Sequence, residues 1–214
     1  MFKVTRLIHL ASGLDPVRVE RFTAQLRQAL TGAERHLVEP TLAGSRNGGD
    51  ILLHAQFRTE ACWFEAQPHL DALLAGVQVV HVDGVDYRPK SAASVTSHGS
   101  VYRTLLVAVA PETPDALIEA FEADLLLMPR FVHTIAAYQL SRPERTLGAA
   151  RWTHIFEQEF TDEAGLMGAY LMHPIHWARV DRWFDPECPE FIVRERICHS
   201  YCRTATPVLD DSPG

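Results

Sequence analysis

The sequence predicts an α+β chain made of two tandem β-α-β-β-α-β modules, and three observations carry that prediction. β-prone alternation and helical spacing follow one another in the same order twice within 214 residues. Short strings match in register between the halves: Val4-x-Arg6 with Val101-x-Arg103, and Phe57-x-x-Glu60-Ala61 with Phe160-x-x-Glu163-Ala164. A stretch of Ser, Ala, Thr and Gly between Lys90 and Gly99 separates the two halves and has little to bury. A repeat near 100 residues is too long for a solenoid and points to duplicated domains. The offset between matched strings grows from 97 to 103, and the longer Ser141–Gly148 connection is the natural place for the extra residues.

In the first half, Lys3–Leu10 is β-prone and stops at the Ser12-Gly13 turn. Asp15 is the expected N-cap and Pro16 the first residue of a helix. Val19, Phe22, Leu26 and Leu30 form its apolar stripe, and Gly32 ends it. Arg35–Leu42 and Ile51–Phe57 are expected as a hairpin across the Gly-rich turn at 44–49. A second helix spans Glu60–Leu74, and the alternating Val77, Val79, His81 run returns as a strand before Pro89. In the second half the order repeats. Val101–Val109 is a strand, and Pro114 opens a helix carrying Leu117, Phe121, Leu125 and Leu126. Phe131–Leu140 and Ala150–Phe160 form a hairpin, a longer helix starts near Thr161, and Phe191–Cys202 closes the module as a strand. The expected domains are therefore 1–90, a linker 91–99, a second module 100–204 and a flexible tail 205–214. Each module is the ferredoxin-like order. A four-stranded sheet with both helices on one face leaves its other face bare, so the modules are expected to close face to face within one chain.

Composition narrows the function classes. An apolar content of 47% supports a core in each half, and the formal charge of −7 comes without a basic run, which argues against nucleic acid as a partner. No apolar run reaches membrane-spanning length, so a soluble cytoplasmic protein with no membrane partner is expected. Cys62, Cys188, Cys198 and Cys202 have no paired CxxC spacing and read as reduced, packed thiols.

The chemistry-bearing residues cluster between Trp152 and His176. Proline disfavours helical geometry in the residue before it and suits a first helical turn, so the long helix should break at His173 and restart at Pro174. His176 then falls in the first turn of the restarted helix, where peptide dipoles favour a neutral imidazole that accepts a proton. A neutral histidine beside the Tyr170 phenol suits proton transfer next to a carbonyl. Each residue also has a structural reading. His173 caps the restarted helix, Tyr170 packs its ring, and His154 is a hydrogen-bonded strand residue that could also line the site. Trp177, Trp183, Phe184, Met167 and Met172 read as core or barrel wall. Arg6 and Arg103 sit in half-buried strands and need an acidic partner or a ligand, an internal ion pair being the favoured use. His-x-x-His across a helix break is poor ligand spacing, so neither a metal nor another cofactor is expected.

The Thr153-His154 strand, the Phe160-Thr161-Asp162 strand end and above all Tyr170-x-x-His173-Pro174-x-His176 resemble the stress-responsive dimeric α/β-barrel (Dabb) family. The second half resembles a full module of that family, and the first half follows only its element order. The resemblance implies modules paired through open sheet faces as a dimeric α/β barrel, here within one chain. In a plant polyketide cyclase of the family, a tyrosine and a histidine at the places of Tyr170 and His176 serve an aldol cyclisation. It thus implies Tyr170 and His176 as catalytic residues; Arg103, which suits a carboxylate or an enolate oxygen, His154 and His173 are the substrate-binding candidates read from the residues themselves. The family's first strand often carries a histidine where Arg103 stands, and the first half has lost the His-Pro motif, reading Trp63-Phe64-Glu65-Ala66-Gln67-Pro68-His69. One site is therefore expected, with the first module as its wall or lid. The leading expectation is a cofactor-independent cyclase, lyase or isomerase acting on a small aromatic or polyketide-like carbonyl compound. The alternatives are a non-enzymatic small-molecule-binding or stress protein and, more remotely, a monooxygenase of the wider barrel group. The partner expected is a small molecule, with a homodimer as a further possibility.

Overall fold

A strand covered on both faces needs burial at successive positions. β1 (Phe2–Leu10), β3 (Ile51–Phe57), β6 (Val101–Val107) and β9 (His154–Phe160) meet that condition almost throughout in the computed structural model, which describes residues 1–209. Around them lie β2 (Arg35–Pro40), β4 (Val79–Tyr87), β5 (Ser94–Val95), β7 (Ile135–Ser141), β8 (Arg145–Leu147) and β10 (Cys198–Arg203). They form two antiparallel five-stranded sheets of order β2-β3-β1-β4-β8 and β10-β6-β9-β7-β5.

β5 and β8 are not anticipated by the sequence pattern. β5 lies inside the expected linker and extends the edge of β7. β8 lies in the long Ser141–Gly148 connection, leaves its own module and pairs with β4 of the other. Both cover sheet edges that would otherwise present unpaired backbone groups. On the opposite side, the loop after β2 reaches β10 through reciprocal Arg46–His199 backbone hydrogen bonds of 2.8 Å.

The outer faces carry the helices. α1 (Pro16–Ala29) starts where Asp15 accepts the Val17 N–H, and it buries Phe22 and Leu26. α2 (Glu60–Leu74) is capped by Thr59, buries Trp63 and Leu70, and runs on through Pro68. In the second module α3 (Asp115–Leu125) buries Phe121 and Leu125. Phe131, expected at the start of a strand, instead ends a short helix α4 (Leu127–Phe131). The long helix expected from Thr161 is two π-helical segments, Gly165–Tyr170 and His176–Val180, followed by a 3₁₀ turn at Asp181–Trp183. The strand expected from Phe191 begins only at Cys198, because the Ile192 and Val193 N–H groups donate to the Trp183 carbonyl.

Three buried layers result: one under each helical face and one between the sheets. The layer between the sheets is filled by side chains such as Leu7, Leu52, Tyr87, Tyr102 and Ile155. It also holds a polar group in which Tyr102 donates to Glu157 at 2.8 Å and Lys3 donates to Gln139 at 2.5 Å. Burial pushes the Glu157 carboxyl up, but Lys3 and His54 outweigh it and hold the group below its ordinary range.

The expected flexible tail is corrected for its first part. Val208 and Leu209 are buried, and their N–H groups donate to the Glu159 carboxylate at 2.7 and 2.6 Å. The remainder, 210–214, lies outside the described residues. All four cysteines are free. Among the described residues no helix is long and apolar enough to cross a membrane.

Candidate active site

Strand alternation decides what reaches the helical face of the second sheet. On β6, Val101, Leu105 and Val107 pack under the helices while Tyr102 and Leu106 face the other sheet, so Arg103 is carried to the helical face. The same alternation on β10 puts His199 and Tyr201 there, and on β9 it puts Gln158 there directly opposite Arg103.

Arg103 is 4% exposed. It donates to the Gln158 side-chain carbonyl and, at 3.1 Å, to the Tyr170 hydroxyl, and its guanidinium carbon lies 4.9 Å from the Tyr170 ring centroid. No carboxylate pairs with it among the described residues. The favoured expectation of an internal ion pair thus holds for Arg6, 2.7 Å from Asp86, and is corrected for Arg103.

Tyr170 is buried and meets His176 edge-on, with ring centroids 5.2 Å apart. The break between them forms as the proline dictates. His173 Nδ1 accepts the Ile175 N–H at 3.2 Å, and its carbonyl accepts the His176 N–H at 2.9 Å. His173 therefore caps the restarted segment and does not line the cavity. His154 also lies apart: its Nε2 is 3.0 Å from Glu122 on α3 and its ring is edge-on to Phe121. Glu122 is held down to about 2, chiefly by that hydrogen bond.

The structure thus brings Arg103, Tyr170 and His176 to one cavity of about 330 Å³ and leaves His154 and His173 outside it. Leu105, Leu171, Val180, Phe184 and Ile197 supply its apolar wall. Its polar lining is completed by Asp181, His199 and Arg46, none of which stood out in the sequence. His176 Nδ1 is 3.1 Å from Asp181 Oδ1, five residues on, a spacing suited to a π-helical turn and not to the usual i, i+4 pairing. His199 belongs to the site only through strand register. Arg46 sits in the Gly-rich turn of the first module, and that turn can lie on β10 because a Cβ at Gly48 would meet the His199 carbonyl and Ser200 Cα at 2.8 Å. The first module accordingly supplies part of the cavity rim.

The electrostatics favour neutral imidazoles. Burial lowers the His176 pKa and Arg103 lowers it further, against an opposing pull from Asp181. His199 is lowered to about 2, first by burial and then by Arg103 and His176. The cavity thus holds a fixed buried cation, a phenol and two rings that resist protonation, a set able to receive an anion and to accept a proton.

The aromatic and Met residues expected in the core divide. Trp183 is buried at 1% exposed, whereas Met167 and Trp177 on the π-helical segments and Met172 in the turn between them are exposed.

Residues 101–198 match the family model of the Stress responsive A/B Barrel Domain. No curated protein matches the chain. Among solved structures, an anthrone oxidase-like protein is similar with a TM-score of 0.64 and 11% identity, over 94% of this chain and 90% of that one. Chlorite dismutase from Candidatus Nitrospira defluvii is similar with a TM-score of 0.55 and 10% identity, over 95% of this chain and 90% of that one. A protein of Lactobacillus acidophilus NCFM described as a candidate monooxygenase gives 0.53 and 10%, over 94% and 92%. At these identities the likeness is one of fold, and it spans both modules.

Proposed function

We propose, from the premise that residues 101–198 form a stress-responsive A/B barrel domain, that the chain is a cofactor-independent acid/base enzyme acting on a small aromatic or polyketide-like acid. The observation that carries this reading is the buried guanidinium of Arg103, without a carboxylate partner among the described residues, on the wall of a cavity it shares with Tyr170 and His176. A buried cation left unpaired by the fold costs free energy that an anionic ligand recovers.

The chemistry follows from the hydrogen-bond direction. Arg103 donates to the Tyr170 oxygen, so the phenolic proton remains available for a substrate carbonyl. In an aldol-type step, His176 takes a proton from the carbon next to that carbonyl. The charge moves to the oxygen held by Tyr170 and Arg103, the enolate carbon forms the new bond to a second carbonyl carbon, and the protonated His176 returns its proton to the resulting alkoxide. Asp181 beside Nδ1 is a positioning residue for the imidazole.

The test is a ligand-detected NMR screen of small aromatic and polyketide-like acids against the wild type and a folded Tyr170→Phe/His176→Ala variant, followed by turnover assays on the binders. Binding that is lost in the variant, with turnover by the wild type, supports the proposal. Equal binding by both proteins moves the site elsewhere. Binding without turnover reduces the protein to a small-molecule binder.

A further inference from the structure

Outside that cavity, the pairing of β1 with β4 places His9 directly opposite His81, and Asp83 follows two residues on along the same face. We infer that His9, His81 and Asp83 form a binding site for a divalent transition-metal ion of the zinc class. Their ligand atoms lie within 4.8 Å of one another. His81 Nε2 is 3.0 Å and His9 Nε2 is 3.9 Å from Asp83 Oδ2. Donors about 2.0–2.2 Å from a tetrahedral ion stand roughly 3.3–3.6 Å apart, and the two observed separations bracket that value.

Hydrogen bonding gives a second, independent indication. Both Nε2 atoms are shielded from solvent, yet neither has a hydrogen-bond partner, even though the Asp83 oxygen is close. Ring nitrogens that lie this close to a carboxylate oxygen and yet are not aimed at it for a hydrogen bond fit donors grouped around a common ion. The carboxylate is also held from behind: Asp83 Oδ1 accepts the Ala149 N–H at 2.7 Å. Gly148 permits that approach, since a Cβ there would run into Asp83. The second module's excursion thus orients a ligand on the first, the role a second shell plays in metal sites.

Asp83 is fully buried and needs a cation. Arg196 Nη2, 3.4 Å from Oδ2, stands in that role, and Cys198 Sγ donates weakly to the same oxygen at 3.5 Å. A metal ion would take Oδ2 from Arg196, which is about one-third exposed and free to swing into solvent. Two imidazoles and one carboxylate leave one tetrahedral position for water. No sequence motif marks this site, because His9 and His81 are joined only by strand register.

The test titrates Zn²⁺ into the chelator-treated full chain by calorimetry and uses Co²⁺ absorption to report coordination geometry. The expected result is one ion per chain with a tetrahedral Co²⁺ spectrum, and affinity reduced about tenfold or more in His9→Gln/His81→Gln. Arg196→Gln, which removes the competing cation and no ligand, is expected to tighten Zn²⁺ several-fold. Failure of the wild type to bind either ion, equal affinity in the double variant, or unchanged or weaker affinity in Arg196→Gln overturns the inference.

Discussion

Arg6 and Arg103 occupy the same place in the two modules, on the first, inner strand and facing the helices, and the fold treats them oppositely. Arg6 is held by Asp86 at 2.7 Å and donates to the Thr5 and Val85 carbonyls. Arg103 has only Gln158 and Tyr170. The cause is one position on the neighbouring strand. Asp86 stands opposite Val4, and the equivalent residue, opposite Val101, is Arg203, an exposed side chain that pairs with Glu163. Where the first module keeps an acid to neutralise its buried arginine, the second has a base pointing elsewhere. The helices above differ as well: α2 runs through Pro68, whereas the second module breaks at Pro174 and opens a cavity. Two like modules therefore give one arginine an acidic partner and leave the other with neutral partners only.

That contrast breaks most visibly at the proposed general base. Once a substrate is found, His176→Ala should lower kcat/KM by about 10²–10⁴, the usual contribution of a positioned general base, while a substitution at His69 of the first module leaves it unchanged. Stability should respond in the opposite module. Asp86→Ala strands the Arg6 charge and should cost about 3–5 kcal/mol in urea unfolding. In the second module a pH effect is expected at His199. His199 has a folded pKa of about 2 against an ordinary 6.5. The unfolded chain therefore binds one more proton between those values. Stability present above pH 6.5 falls as the pH drops, by about 1.4 kcal/mol per unit from this group. His199→Gln should flatten that slope, and an unchanged slope assigns it to other groups. The smallest effect is expected from Arg103→Met, which removes an unpaired buried charge and should shift unfolding by about 1 kcal/mol or less. A loss as large as that of Asp86→Ala would reveal Arg103 as a structural residue like Arg6.

Much of the scaffold was legible because it is written in local patterns. The Asp15-Pro16 start, the Gly-rich 44–49 turn and the His173-Pro174 break each depend on a few adjacent residues, and each forms where expected. β5 and β8 were not legible, since two- and three-residue strands have no period to read and exist only because an edge of another module lies beside them. The site divides in the same way. Tyr170 and His176 share a local motif, whereas His199 and Arg46 enter the cavity by register and by the docking of the modules. His154 carried a local signal too, but α3 claims it through Glu122. The face-to-face closure followed from the bare sheet faces. That the barrel would be filled, and the cavity placed under the helices, depended on side-chain packing between the two halves.

The measurement closest to the central claim compares the affinity of an aromatic acid with that of its neutral amide, in the wild type and in Arg103→Gln. If Arg103 is the unpaired cation that receives the ligand, the wild type prefers the acid by about tenfold or more, in line with a charge-assisted hydrogen bond, and Arg103→Gln loses the preference. An acid preference of equal size in both proteins would contradict the account and place the anion elsewhere.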